Sequence, residues 1–200
     1  SGINTLNKYM EAFGLNSPTG VEISELYDSM SQYPTHISSP EYKKYITQQR
    51  DVEAKESDYK WSAGDTIRTA IGQSYNNYTS ALMSKYVATL ANGGTRYSMH
   101  FLNKITTNDG KIEEEYQPKV ESKIEIKKEN LDAIFRGMFL VTTGPRGTLR
   151  SYFKDFPVNV AAKSGTAQQS SKRSEHTTFV AFAPLEDPQI SVCVIIPFGN

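Results

Sequence analysis

The sequence predicts an α+β domain in which an antiparallel sheet is packed between helices. Two long stretches, near 79–90 and 129–142, place apolar residues at helical spacing. Three apolar runs follow at 158–168, 177–183 and 189–197, and short joints separate them. Short joints favour antiparallel neighbours in a sheet, and helices packed on such a sheet are typical of the α+β class.

The chain opens with a helical pattern. Ile3, Leu6, Met10 and Phe13 recur at helical spacing, and Gly14 follows them as a C-terminal stop. No signal peptide precedes this pattern. We therefore expect the chain to begin inside a longer protein.

Residues 27–60 differ in composition from the rest of the chain. They are polar, rich in Ser, Gln, Glu and Lys, and poor in aliphatic residues. We predict that they form a polar surface excursion within the domain, with one helix near 41–55. A short extended stretch, 19–23, is predicted to precede them.

The helix predicted near 79–90 has clear end signals. Thr79 is a good N-cap. Residues 91–94 read Ala-Asn-Gly-Gly, and Asn and Gly accept the left-handed conformation of a C-terminal cap. The predicted buried stripe consists of Leu82, Met83, Tyr86, Val87 and Leu90.

The second helix, near 129–142, is followed by Gly-Pro-Arg-Gly at 144–147, a sequence that breaks helices. Its predicted apolar face consists of Leu131, Ile134, Phe135, Met138 and Phe139. Between the two helices, 101–107 and 111–117 are predicted to form a hairpin around Asn108-Asp109-Gly110.

Charge and composition argue against several classes of function. The 22 basic and 22 acidic residues cancel, which removes the electrostatic case for nucleic acid as a partner. Cys193, the single cysteine, lies in an apolar run and is predicted to be a small buried hydrophobe instead of a catalytic thiol. His36, His100 and His176 are widely scattered, so we expect no zinc site and no cofactor.

The most informative tetrapeptide is Lys163-Ser164-Gly165-Thr166, on a predicted strand. A lysine ammonium can attract a carboxylate and assist proton movement. Ser164 and Thr166 alternate onto one face of a strand, so both hydroxyls can meet one ligand. Gly165 lets a substrate approach the backbone, and a backbone N–H at the strand edge can serve as half of an oxyanion hole. The tetrapeptide is compatible with an acyl-transfer site, and also with an ordinary exposed strand edge.

Five stretches in a fixed order carry a resemblance to one family. They are Trp61-Ser62-Ala63-Gly64-Asp65-Thr66, Ala70-Ile71-Gly72-Gln73, Leu90-Ala91-Asn92-Gly93-Gly94-Thr95, Ala161-Ala162-Lys163-Ser164-Gly165-Thr166-Ala167-Gln168 and Phe179-Val180-Ala181-Phe182-Ala183-Pro184. Their order and spacing resemble those of class B penicillin-binding proteins over nearly the whole chain. In that family K-[ST]-G is an active-site element, which it shares with serine β-lactamases.

The chain departs from the family pattern at three positions. Ala162 replaces the usual Gly before the lysine. Ser74 and Ser80 stand where the family has Gly and Pro after its A-I-G-Q segment. These departures put the local backbone shape in question more than the chemistry.

The resemblance implies the transpeptidase fold of penicillin-binding proteins and serine β-lactamases. It implies a serine D,D-transpeptidase that cross-links peptidoglycan stem peptides and is acylated by β-lactams. It also implies that the parent protein works at the extracytoplasmic face of the bacterial membrane, anchored by a segment outside this chain.

The resemblance also assigns roles to residues of the tetrapeptide strand. Lys163 and Thr166 would be catalytic, and the backbone N–H of Thr166 would join that of the nucleophile as the oxyanion hole. Ser164 and Thr166 would hold the carboxylate of the substrate or antibiotic. Gly165 and Gln168 would complete the substrate-binding set with Lys163.

A complete site of this family also needs S-x-x-K, with the nucleophilic serine, and S-x-N. We expect residues 1–200 to be the C-terminal part of one transpeptidase domain, incomplete because these elements lie just upstream. The isolated chain should then be inactive, and the remainder of the parent polypeptide should be its partner in forming the site.

One rival assignment exists within the chain. Ser57, Lys60, Ser74, Asn76 and Lys163 follow the family's order, and Ser151 with Lys154 gives a second S-x-x-K match. We disfavour the rival because its polar setting would leave the Lys60 side chain hydrated and protonated, which makes a poor base.

Two other functions remain open at the level of sequence. One is a related hydrolase, such as a D,D-carboxypeptidase or a β-lactamase. The other is a non-catalytic cell-wall-binding or scaffold module that keeps the fold without a nucleophile. The sequence upstream in the parent protein would separate them, because it would show the nucleophile and any deacylating groups.

Overall fold

A computed structural model describes residues 2–23, 35–168 and 174–199 of the 200-residue chain. The helices in this part are α1 (Gly2–Ala12), α2 (Pro40–Arg50), α3 (Glu56–Tyr59), α4 (Ala63–Ala70), α5 (Ser80–Ala91), α6 (Lys128–Thr143) and α7 (Arg150–Phe153). The strands are β1 (Thr95–Tyr97), β2 (Lys104–Thr106), β3 (Ile112–Glu115), β4 (Val120–Lys123), β5 (Ala161–Ala167), β6 (His176–Ala183) and β7 (Ile190–Ile196).

The centre of the fold is a three-stranded antiparallel sheet in the order β5-β6-β7. Helix α5 packs on β6 and β7, and α6 packs on β5. The core between these helices and the sheet consists of Val87, Leu90, Met138, Ala161, Val180 and Phe182. The predicted α+β class, with antiparallel strands packed on helices, is confirmed.

A second buried cluster lies on the other face of the sheet. Val160, Ala162 and Ala181 are buried there, and Phe153 of α7 and Phe179 of β6 pack against them. Because neighbouring residues of a strand point to opposite faces, Ala161 and Ala162 of β5 belong to different clusters. The start of β5 is therefore held from both sides.

The strong helical patterns of the sequence are confirmed. Helix α1 ends before Gly14, whose φ of 76° is left-handed. Thr79 caps α5, since its side chain accepts a hydrogen bond from the Leu82 N–H at 3.1 Å. Helix α6 matches the predicted second helix, but Ile134 of its predicted apolar face is 41% exposed.

The hairpin prediction is also confirmed, although its strands β2 and β3 are shorter than the sequence indicated. Strands β1 and β4 were not predicted. They pair with each other, and Thr95 faces Lys123 across the pair. Their partner is distant in sequence, and three- or four-residue strands leave little periodicity to detect. The extended stretch predicted at 19–23 forms no strand.

The polar segment differs in two ways from its prediction. The single helix expected near 41–55 is two helices, α2 and the short α3. Several of the segment's residues are also buried instead of lying at the surface: Thr35, Ile37, Ser38 and Ile46. The part of the prediction that concerns 27–34 lies outside the described residues.

A buried carboxylate fastens this segment to the rest of the chain. Asp65, at the start of α4, is 1% exposed. It accepts hydrogen bonds from the backbone N–H and hydroxyl of Ser62, each at 2.8 Å, and pairs with Lys43 of α2 at 2.9 Å and Arg68 at 2.7 Å. Burial alone would raise the pKa of Asp65, but the hydrogen bonds from Lys43, Ser62 and Arg68 lower it well below its usual range.

A second ion-pair network joins α5 to β1 and β4. Lys85 of α5 is 7% exposed, and its ammonium donates to both carboxylate oxygens of Glu121, at 2.8 and 2.9 Å, and to the Thr19 carbonyl at 3.0 Å. Nε of Arg96 lies 2.9 Å from the same carboxylate. The two cations share one anion, so the network ties three elements together.

The loop between α4 and α5 contains a left-handed serine. Ser74 has a φ of 75°, close to the 80° of Gly72 two residues earlier. A side chain in this conformation costs about 1–2 kcal/mol, a strain that glycine avoids. A non-glycine residue therefore occupies a backbone conformation that favours glycine.

We predict that Asp65→Asn destabilises the chain by about 3 kcal/mol at pH 7, because it leaves the nearly buried Lys43 ammonium without its counter-charge. The pKa of Asp65 is lower in the folded chain than its ordinary value of 3.8, so its stabilising contribution is complete well above pH 3.8 and is lost as the pH falls below that value. Urea unfolding at several pH values should show wild type and variant converging only in acid.

Asp155→Asn is the matched control. The Asp155 side chain is 86% exposed, and its nearest cation, Lys154, is 3.7 Å away. Its removal should cost less than about 0.5 kcal/mol. If Asp65→Asn were as mild as this control at pH 7, the assignment of Asp65 as the tie between α2 and α4 would be wrong.

We predict that Ser74→Gly stabilises the chain by about 0.5–1 kcal/mol, because relief of the left-handed strain exceeds the extra entropy of glycine in the unfolded state. Thermal unfolding should show the increase. Ser74→Ala keeps the strain and removes only the hydroxyl, so it should bring no stabilisation. An equal gain in both variants would contradict a backbone origin.

Candidate functional site

Strand β5 carries the tetrapeptide at an edge of the central sheet. Among the described strands, β5 pairs only with β6, with Lys163 opposite Val180 and Thr166 opposite Thr177. Ala161 and Ala162 have no exposed surface, yet the chain is exposed at Lys163. Within three residues the strand therefore passes from a buried position in the core to an exposed one at Lys163.

The side chains of the tetrapeptide divide between the two faces of β5. Ser164 is half-buried and Thr166 is exposed, and both lie on the face that includes Ala162. Lys163 and Gly165 lie on the opposite face, and both are exposed. The Lys163 ammonium folds back along the strand and donates to the Ser164 carbonyl. Gln168 follows the end of β5 and is exposed.

Gly165 leaves open space beside the strand. A Cβ placed on it would meet only Thr178 of the described residues, with the nearest atom at 3.8 Å, an ordinary contact distance. Its φ is not left-handed, so the backbone itself does not require glycine. Because glycine has no side chain, the space beside this residue stays open to a ligand.

A groove of about 540 Å³ lies along this strand. One wall is formed by Lys163 and Ser164, and the other by the C-terminal half of α6 and residues 144–148. Thr166 and Gln168 are not among the described residues that line it. The described lining holds two cationic side chains, Lys163 and Arg146, and no carboxylate, so the groove favours an anionic ligand.

The two walls of the groove meet through a pair of hydroxyls. Oγ1 of Thr148 lies 3.3 Å from Oγ of Ser164, and either group can be the donor. This contact fixes the Ser164 hydroxyl relative to the turn that follows α6. Nothing local in the sequence indicates that Arg146 and Thr148 line this groove, because Gly-Pro-Arg-Gly predicts only the end of a helix and does not record its place opposite β5.

The rival serine and lysine lie elsewhere. Ser57 is exposed on the four-residue helix α3, which packs against α2, and its hydroxyl donates to Asp58 at 3.2 Å. Neither Ser57 nor Lys60 is among the described residues that line the groove. Asn76 accepts a hydrogen bond from the Ser38 backbone N–H at 2.9 Å, so its amide is used to hold the polar segment.

The two other residues considered as functional candidates, Cys193 and His176, lie against apolar or aromatic side chains. Cys193 of β7 is half-buried against the core cluster, and burial raises the pKa of its thiol, which disfavours the reactive thiolate. His176 opens β6, and its ring lies 4.7 Å from that of Phe198. No helix in the described part of the chain is both long enough and apolar enough to cross a bilayer.

Comparison with known proteins points to a single family. A family model described as the penicillin-binding protein transpeptidase domain matches residues 1–200. The peptidoglycan D,D-transpeptidase MrdA of Escherichia coli K12 is 31% identical over 213 residues and covers 100% of this chain. Penicillin-binding protein 2B of Streptococcus pneumoniae is 30% identical over 151 residues, which cover 70% of the chain.

Solved structures agree with the sequence comparisons. PBP2 of Pseudomonas aeruginosa, solved in complex with WCK 5153, superposes with a TM-score of 0.73 and 29% identity, over 98% of this chain and 40% of that one. The chain spans only part of its curated relatives: 31% of the Escherichia coli protein and 22% of the Streptococcus pneumoniae protein.

We predict unequal effects on stability for alanine at two glycines beside the groove. Gly165→Ala should change the free energy of unfolding by less than about 0.5 kcal/mol, because its Cβ meets no close neighbour. Gly147→Ala should destabilise by about 1–3 kcal/mol, because its Cβ would lie 2.5 Å from the carbonyl oxygens of Leu140 and Val141. Urea unfolding measures both variants, and equal effects would contradict the described geometry of the groove.

Proposed function

Because the chain belongs to the penicillin-binding protein transpeptidase-domain family, we propose that it is the C-terminal part of the catalytic domain of a serine D,D-transpeptidase. The parent protein would cross-link peptidoglycan stem peptides and bind penicillin and other β-lactams. The observation that carries the proposal is the exposed Lys163-Ser164-Gly165-Thr166 strand at an edge of the sheet, beside a groove with two cations.

Each residue of the strand has a role in this function. The Lys163 ammonium attracts the ligand carboxylate and stabilises charge as protons move. The hydroxyls of Ser164 and Thr166 hold that carboxylate, and Gln168 contacts the ligand beyond the end of β5. Gly165 lets the ligand backbone lie close to the strand.

The reaction is an acyl transfer to a serine. The serine oxygen attacks the ligand carbonyl and loses its proton, the carbonyl carbon–nitrogen bond breaks, and the released nitrogen takes up a proton. The developing oxyanion is stabilised by the backbone N–H of Thr166 together with that of the nucleophile. Lys163 and the carboxylate contacts keep the ligand in the geometry of attack.

We also propose that the nucleophilic serine, its lysine partner and the S-x-N element come from the remainder of the parent polypeptide. The exposed apolar surface of β7 is consistent with a further element of the parent protein that covers it. Its outward row is apolar and exposed: Ile190 63%, Val192 38%, Val194 44% and Ile196 52%. Such a row on a strand with one described neighbour is normally covered or paired in a native protein.

The site of action follows from the same proposal. Peptidoglycan lies outside the bacterial membrane, so the domain would work at the extracytoplasmic face, with the parent held there by a segment outside this chain. The net charge of zero offers no strong attraction of its own to an anionic lipid surface. Retention at the membrane would then depend on that other segment.

We predict that the parent protein is labelled by a fluorescent penicillin and that the isolated chain is not. Lys163→Ala in the parent should lower the labelling rate by about a hundred-fold or more, because it removes the cation beside the reacting groups. The Lys163 side chain is exposed, so the variant should fold normally. Stopped-flow or gel-based labelling measures the rate.

Two variants in α3 and its flank serve as matched controls. Ser57→Ala and Lys60→Ala remove the rival serine and lysine and should leave labelling unchanged. Loss of labelling in Ser57→Ala, or stoichiometric labelling of the isolated chain, would contradict the proposal that the nucleophile lies outside the chain.

The rate at which the labelled parent releases its acyl group separates two classes of enzyme. Slow release would favour a transpeptidase over a hydrolase such as a β-lactamase.

A further inference from the structure

The groove beside β5 contains a second cation that the family motif does not include. Arg146 lines the groove on the wall opposite β5, and Lys163 and Ser164 line the other. Arg146 is exposed, and none of the described residues forms an ion pair with it. Its guanidinium therefore keeps all its donors available to a ligand.

The backbone that carries Arg146 is held in a fixed position. Residues 144–147 form a tight turn in which the Gly147 N–H donates to the Gly144 carbonyl at 2.8 Å, with Pro145 at the position where its fixed φ suits a turn. The Gly144 N–H donates to the Leu140 carbonyl at 2.9 Å, so the turn continues directly from α6.

Close packing further restricts this turn. A Cβ on Gly144 would lie 2.7 Å from the Leu140 carbonyl oxygen, so the turn lies directly on the end of α6. Immediately after it, the Leu149 N–H donates to the Val141 carbonyl at 3.0 Å. A rigid backbone places the base of the Arg146 side chain at the groove and leaves only its rotamers to be chosen on binding.

Hydroxyl groups next to this cation complete an anion-binding arrangement. Thr148, two residues after Arg146, contacts the hydroxyl of Ser164, which lies beside Lys163 on the strand. Two cations and two hydroxyls therefore line one groove, and no carboxylate is found among its described lining residues. A planar guanidinium presents two parallel N–H donors that match the two oxygens of a carboxylate, a rigid geometry that an ammonium lacks.

We propose that Arg146 is a specificity-determining residue that binds the carboxylate of the ligand from the wall opposite Lys163. This inference rests on the proposed function, since it takes the groove as the place where the ligand carboxylate lies. Arg146 then selects for ligands with a free carboxylate, and Thr148 orients the Ser164 hydroxyl toward the same group.

The test uses the full parent protein and a matched pair of ligands, benzylpenicillin and its methyl ester. The ester lacks the negative charge of the carboxylate and carries one extra methyl group, and the rest of the molecule is the same. Arg146→Gln should lower the second-order acylation rate constant for benzylpenicillin by about ten-fold, the size of one charge-assisted contact. The constant for the ester should stay unchanged, so the acid-to-ester ratio should fall by the same factor.

Two further variants test whether the effect depends on the guanidinium group itself and on its position in the groove. Arg146→Lys keeps the charge but loses the planar pair of N–H donors, so its acid-to-ester ratio should lie between those of wild type and Arg146→Gln. Arg150→Gln removes an exposed arginine of α7 that is not among the groove's described lining residues, and its ratio should equal that of wild type. The rate with benzylpenicillin should also depend less steeply on salt in Arg146→Gln.

The outcomes distinguish this inference from the function on which it rests. If the wild-type parent is not acylated by benzylpenicillin, the proposed function fails, and the inference fails with it. If wild type is acylated and Arg146→Gln keeps the wild-type acid-to-ester ratio, the inference alone is overturned. A fall of the ratio in Arg150→Gln equal to that in Arg146→Gln would also overturn it, because the effect would then come from net charge and not from position.

Discussion

The structure depends on the burial of two small neighbouring residues from opposite sides. Ala161 packs with Phe182 in the core beneath α5 and α6, and Ala162 packs with Val160 and Ala181 on the other face of the sheet. Neither alanine has exposed surface. Removing even one methyl group from such a close-packed interior lowers the stability of the fold, so these two positions fix where β5 emerges from the core.

The exposed site follows from that anchoring. Because side chains alternate along β5, holding both alanines also sets the faces on which Lys163 and Ser164 appear. Helix α6 packs on the same strand, so the turn after it is brought alongside and the groove forms between them. The side chains of Lys163 and Ser164 are thus positioned by the packing of the two alanines that precede them in the strand.

Two ion-pair networks also hold elements of the fold together. Asp65 holds α2 to α4, and Glu121 draws Lys85 and Arg96 together. Buried charges of this kind are tolerated only when they are paired and hydrogen-bonded, so each tie also restricts which elements can lie next to each other. The W-x-x-G-D-T stretch has a structural explanation here, since its aspartate accepts a hydrogen bond from the backbone N–H of the N-cap Ser62 in a capping box and binds Lys43.

The sequence by itself determined the α+β class, the two long helices, the hairpin and the strand that carries Lys163, because each depends on local periodicity, caps and turns. Only the tertiary structure decided that Lys85 is buried and that Arg146 lines the groove beside Ser164. Both depend on partners far along the chain, and sequence periodicity does not record which distant residues meet. From the sequence alone Lys85 would be expected at the solvated face of its helix. Only the tertiary structure shows that Glu121 pairs with it.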